Sequence, residues 1–205
     1  MYPHADTVNG GITGRAYGIT LRRCVFDSTF GVFGQWWYPW EPIIETISDC
    51  IFRDVQRRGF VDIDYPLIAT NCQFVGGNAF YLCVGGHGSR IRFCSFGPSV
   101  GGWSALHLVG DDVWVSNCRF GPAEASPSYR LFLSQVHGQA WIHDNVFTDL
   151  VVPMAPVWII ADSADAFLIE DNVFLNTSGV VGGIRVERDG YHPGWGGTIR
   201  HNFFT

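Results

Sequence analysis

The chain has 205 residues, of which 47% are hydrophobic, 15% aromatic and only 16% charged, and its formal net charge is −6. So few charges leave little solvated helical surface and favour β architecture, while the negative balance argues against a nucleic-acid partner, which needs phosphate-neutralising basic patches. All 13 basic residues are arginine, which excludes a lysine base or Schiff base, and the longest apolar run, 150–161, contains Pro153 and Pro156 and is too short to span a bilayer.

In chain order, residues 1–13 read as an N-terminal extension or small cap without the basic and apolar regions of a signal peptide. From residue 14 to 205 one pattern recurs: an aliphatic residue or Ala, two variable residues, Cys or Asn, one variable residue, then Phe. The copies are Leu21/Cys24/Phe26, Ile47/Cys50/Phe52, Ala69/Cys72/Phe74, Ile91/Cys94/Phe96, Val115/Cys118/Phe120, Ile142/Asn145/Phe147, Ile169/Asn172/Phe174 and Ile199/Asn202/Phe204. Successive Cys/Asn positions lie 26, 22, 22, 24, 27, 27 and 30 residues apart. Between the copies run alternating segments: Phe60-Val61-Asp62-Ile63, Phe80-Tyr81-Leu82, Leu106-His107-Leu108, Leu131-Phe132-Leu133, Val157-Trp158-Ile159 and Ile184-Arg185-Val186. Period-two stretches bounded by Gly, Pro, Asp and Ser read as short strands. A repeat of this length with short strands and no helical period predicts an all-β fold, a right-handed parallel β-helix of about eight coils.

In such a fold identical positions stack about 4.8 Å apart. The phenylalanines then form an aromatic ladder, Asn side chains bond from coil to coil, and buried free thiols replace Asn as small apolar groups. The last copy falls on the final residues, which reads as a fragment open at its C-terminal end or an end covered by another subunit.

Segments such as Val115-Ser-Asn-Cys-Arg-Phe120 and Ile142-His-Asp-Asn-Val-Phe147 resemble the repeat of the pectin-lyase-like superfamily of right-handed β-helices. The resemblance implies the fold over nearly the whole chain. It also implies a ligand lying across the outward face of one parallel sheet, while the superfamily spans lyases, hydrolases, epimerases, tailspikes and adhesins.

With Leu106, Val61 and Ile184 inward, the outward column reads Asp62, Tyr81, His107, Phe132, Trp158, Arg185, and the next reads Asp64, Cys83, Val109, Ser134, Ile160, Glu187. Asp62 and Asp64, two apart on one strand, stand roughly 7 Å apart, a spacing that suits an inverting glycosidase. His107 lies within reach of the same sugar chain, so Asp62, Asp64 and His107 are the candidate acid/base residues. Tyr81, Phe132 and Trp158 form a predicted exposed aromatic ridge with Arg185 and Glu187 at its end, either bound by sugar or buried by a partner. Arg185 and Glu187 can also simply pair with each other. Trp36, Trp37 and Trp40 add an aromatic insertion, and Trp114 and Trp141 are expected outward on another sheet. Asp111-Asp112, His137-Gly138 and Arg185-Val186 superficially match polygalacturonase-type hydrolases. The first two pairs follow their strands instead of preceding them and so fall in turns on another edge.

No Cys/His zinc spacing and no phosphate-binding loop is present, so neither metal nor cofactor is expected. The expected function is recognition or cleavage of a polysaccharide by a tailspike- or polysaccharidase-type β-helix. The alternative is a non-catalytic spike, adhesin or filament module assembling through its outward aromatics. Either implies an extracellular or virion-associated protein, with a glycan or further copies (a trimer or end-to-end stack) as partners and no membrane insertion.

Overall fold

The computed structural model describes residues 18–28, 44–54, 66–76, 81–98, 104–110, 112–122, 129–136, 138–149, 155–161, 166–176, 183–188 and 196–205. The expected extension 1–13 lies outside these residues. Among the described residues every regular element is a strand. The first repeats contribute β1 (Ile19–Arg22), β2 (Val25–Asp27), β3 (Ile44–Ser48), β4 (Ile51–Arg53), β5 (Ile68–Thr70) and β6 (Gln73–Val75). Three-stranded repeats follow: β7 (Tyr81–Gly85), β8 (Arg90–Arg92) and β9 (Ser95–Phe96); β10 (Ser104–Val109), β11 (Val113–Ser116) and β12 (Arg119–Phe120). Next come β13 (Tyr129–Val136), β14 (Gln139–His143) and β15 (Val146–Thr148), then β16 (Val157–Ala161), β17 (Ala166–Glu170) and β18 (Val173–Leu175). The last are β19 (Ile184–Arg188), β20 (Gly197–Arg200) and β21 (Phe203–Phe204).

These strands form three sheets, ordered β1-β3-β5-β8-β11-β14-β17-β20, β2-β4-β6-β9-β12-β15-β18-β21 and β7-β10-β13-β16-β19. Every pairing is parallel and joins a strand to its equivalent in the neighbouring repeat. The protein is therefore an all-β parallel β-solenoid.

The repeat slots explain the register. Leu21, Ile47, Ala69, Ile91, Val115, Ile142, Ile169 and Ile199 align in the first sheet. The eight phenylalanines stack along the second, neighbouring centroids lying between 4.6 and 5.1 Å apart and planes within 10°. That separation is the strand spacing itself, so each of the six inner rings buries both faces on its neighbours, while Phe204 at the end of the stack is 49% exposed.

The residue just before each Cys/Asn slot adopts the left-handed region: Arg23, Asp49, Asn71, Phe93, Asn117, Asp144, Asp171 and His201, with φ between 54° and 56°. Asn and Asp tolerate that conformation best and fill five of the eight positions. This residue makes the bend between the first and second sheets. The slot residue then closes the bend: Asn145 Oδ1 accepts the Cys118 N–H at 2.9 Å, Asn172 Oδ1 that of Asn145 at 3.0 Å, and Asn202 Oδ1 that of Asn172 at 3.0 Å. The Cys24 N–H points at Cys50 Sγ at 3.5 Å in the same way. Cys24, Cys50, Cys72, Cys94 and Cys118 are free thiols, as expected, all but Cys24 buried. At the start of β13 in the third sheet the fully buried Arg130 donates through Nη2 to the Gly97 carbonyl at 2.8 Å.

Candidate functional site

The third sheet carries the expected outward face. Its inward positions, Leu106, Leu108, Leu131, Leu133, Val157 and Ile159, are fully buried, with Ile184 and Val186 packed against them. The alternate column aligns His107, Phe132, Trp158 and Arg185 on successive strands. Val109 aligns with Ser134, and Ile160 with Glu187, as the alternation predicts.

The β7 end of that face differs from expectation. Val84, not Tyr81, aligns with His107; Tyr81 aligns with Ser104, and Cys83 falls beside the inward Leu106 instead of Val109. The reason is that 80–84 is apolar throughout (Phe-Tyr-Leu-Cys-Val), so alternation carries no phase there.

The predicted exposed ridge is corrected too. His107 and Phe132 are each only 5% exposed. Their rings stack at 4.5 Å, Phe132 stacks on Trp158 at 4.6 Å, and the Arg185 guanidinium lies 5.4 Å from the Trp158 ring centre. Rings on neighbouring coils are one strand spacing apart, so they turn their faces to each other along the solenoid axis and not outward. Tyr129, which the alternation did not single out, joins this column at 4.3 Å from Trp158 and is buried.

The polar groups of this face form two pairings. His107 Nε2 and Ser134 Oγ share a 2.7 Å hydrogen bond. Burial disfavours the imidazolium and pushes the His107 pKa down to about 4, so at neutral pH the ring is a neutral hydrogen-bonding group and fits a base better than an acid. Trp158 Nε1 donates to Glu187 Oε2 at 3.0 Å, and Arg185 pairs with the other carboxylate oxygen. Trp158, Arg185 and Glu187 are half-buried. Of the other expected site residues, Asp62, Asp64, Trp36, Trp37 and Trp40 lie outside the described residues, as do Asp111 and His137, and Tyr81 is placed by its strand register alone.

A related arrangement stands on the outward face of the first sheet. Trp114 and Trp141 align there, half-buried, as expected. Their planes meet at 80°, however, which takes Trp141 out of an axial stack. Trp141 Nε1 donates to Glu170 Oε1 at 3.1 Å, and Arg200 binds Glu170 Oε2 at 2.6 Å. The Arg200 hydrogen bond, with help from the Trp141 N–H, holds the Glu170 carboxyl below the usual carboxylate range, which keeps it ionised. The His143 ring lies 4.3 Å from Trp141, and its Nδ1 is 2.7 Å from Asp144. Thus an indole N–H, a glutamate of the next repeat and an arginine form the same trio on two faces. Glu170 and Arg200 gave no signal in sequence, because they lie 29 and 59 residues from Trp141 and meet it only through the stacking of repeats.

Among the described residues no group of three or more His, Cys, Asp or Glu side chains is placed to hold a metal ion. The fold and these faces define the class: a parallel β-solenoid with aromatic and charged groups along its outward sheet surfaces. The chain matches no family model, no curated protein sequence and no solved structure.

Proposed function

We propose that the protein is a glycan-recognising β-solenoid, of the kind the resemblance to pectin-lyase-like repeats suggests, with oligosaccharide lying against its outward sheet faces. The observation that carries the reading is the recurrent trio: Trp158–Glu187–Arg185 on the third sheet and Trp141–Glu170–Arg200 on the first. Each places an indole N–H, a carboxylate and a guanidinium on neighbouring paired strands, with the Trp158 ring stacked along its column and the Trp141 ring half-buried outside such a stack. These are groups that sugar hydroxyls and C–H faces can meet. Glycan cleavage is a further step of this proposal, with Asp62 and Asp64 as the carboxylates and His107 as a neutral base. In this reading the protein works outside a cell or on a virion.

A panel of acidic and neutral polysaccharides tests it, with binding and product size followed for the natural chain and for Trp141→Ala, Trp158→Ala and Asp62→Asn. Binding lost in either tryptophan variant, with the melting transition kept, supports recognition; shortening lost in Asp62→Asn supports cleavage. No polymer bound or shortened would sink the proposal. The second reading, a structural module, is favoured by one observation: the axial stack His107–Phe132–Trp158–Arg185 spends its ring faces on coil-to-coil contact. It predicts that Trp158→Ala lowers stability and changes no binding.

A further inference from the structure

We propose that Arg90 and Arg92, with Phe93 and Trp114, form a subsite for the carboxylate-bearing sugar of an acidic polysaccharide. This rests on the glycan reading and names its substrate class. Among the described side chains, the outward positions of the first sheet carry four arginines, Arg22, Arg90, Arg92 and Arg200, against one carboxylate, Glu170, in a chain whose net charge is −6. Two of the four are already engaged: Arg22 lies 3.8 Å from Asp49, and Arg200 is bound to Glu170. Arg90 and Arg92 have no carboxylate within ion-pair distance among the described residues.

The bend beside the sheet explains why. It carries Asp49, Asp144 and Asp171 in other repeats, but Asn71, Phe93 and Asn117 in the repeat of Arg92 and its two neighbours. Two uncompensated guanidiniums therefore stand on one strand, roughly 7 Å apart on the same face. Arg90 lies over the Trp114 ring with its guanidinium carbon 5.1 Å from the ring centre, which fixes the plane of the fork. Phe93 is 57% exposed, held outward by its left-handed backbone, and Ile68, aligned with Arg90, is 41% exposed. In register with Arg92, the buried Ser116 Oγ has no hydrogen-bond partner among the described residues.

A carboxylate accepts paired N–H bonds from a guanidinium, and the apolar face of a sugar ring packs on aromatic side chains. A uronate offers both on one residue. Nucleic acid fits less well: it needs a run of cations along its phosphates, whereas here the basic spot is confined to one repeat and the acidic bend positions Asp49 and Asp144 lie two repeats away on either side.

The test titrates the full chain and its Arg90→Gln/Arg92→Gln variant with tetragalacturonate, cellotetraose and an oligothymidylate, with the melting transition as control for folding. We expect the acidic tetrasaccharide to lose at least about tenfold in affinity in the variant, with a weaker salt dependence, while any cellotetraose binding stays put. Equal tetragalacturonate affinity in both proteins, or a parallel loss for both sugars, overturns the subsite. Binding of cellotetraose with no preference for the acidic sugar overturns it while leaving the glycan reading intact. Tighter, arginine-dependent binding of oligothymidylate overturns it in favour of nucleic acid, and binding of neither sugar removes both proposals.

Discussion

Replacing Asn145 tests the slot that joins one coil to the next. Its side chain is fully buried and accepts the Cys118 N–H at 2.9 Å, while Nδ2 donates to the Val115 carbonyl at 2.9 Å and to Asn172 Oδ1 at 3.0 Å. Asn145→Ala leaves one amide N–H orphaned where water cannot reach, at about 1–3 kcal/mol, and deletes two further bonds of about 1 kcal/mol each. Allowing for partial relaxation, the expected loss is about 3 kcal/mol. Asn145→Cys restores the arrangement seen where the Cys24 N–H meets Cys50 Sγ at 3.5 Å, so it should cost less than alanine. Guanidinium unfolding followed by circular dichroism reads both variants against the natural chain. A loss below about 1 kcal/mol for alanine, or a cysteine variant less stable than the alanine one, would refute the claim that the slot acts as an acceptor for the preceding coil.

Phe120→Ala removes a fully buried ring stacked on Phe96 and Phe147 at 4.8 and 4.7 Å and should cost about 3–5 kcal/mol by the same assay, whereas Phe120→Leu should cost much less. His107 sets an acid limit. Its folded pKa of about 4 lies below the ordinary 6.5, so the folded state binds fewer protons than the unfolded one. The protein should lose stability as pH falls from about 6.5 towards 4, by roughly 3 kcal/mol in all, and His107→Gln should flatten that slope in melts taken between pH 7 and 4. The neighbouring Cys118 side chain and burial push the Cys94 thiol up to about 12, and Cys72 is raised further, first by its bond with Cys94. Both should resist iodoacetamide in the native protein and react only once it is unfolded, as peptide mass spectrometry would report.

Most of the fold was legible because the repeat is written twice, once as composition and once as spacing. A Phe recurring every 22 to 30 residues means little alone; tied to Cys or Asn two residues earlier and an aliphatic residue three before that, it specifies two strands and the bend between them. The left-handed residue at that bend was legible only in part. Asp49, Asn71, Asn117, Asp144 and Asp171, and more weakly His201, mark it by their type, but Arg23 and Phe93 adopt the same backbone with no preference for it, held there by the ladders on either side.

The outward faces were harder to read, for a reason inherent in solenoids. Alternation along a strand reports which side chains leave the core, but not what they meet afterwards, and the nearest neighbour of an outward group belongs to another repeat some 22 to 30 residues away. Leu131-Phe132-Leu133 correctly places Phe132 outward, yet Phe132 is buried because His107 and Trp158 occupy the same column one repeat to either side. An aromatic ring therefore remains available to a ligand where its column neighbours are not rings aligned with it. Trp114, next to Arg90 and at 80° to Trp141, meets that condition on the first sheet, and Phe132 between two stacked rings does not. The condition separates structural ladders from recognition surfaces, and it draws attention from the longer aromatic column on the third sheet to the shorter, arginine-flanked one on the first.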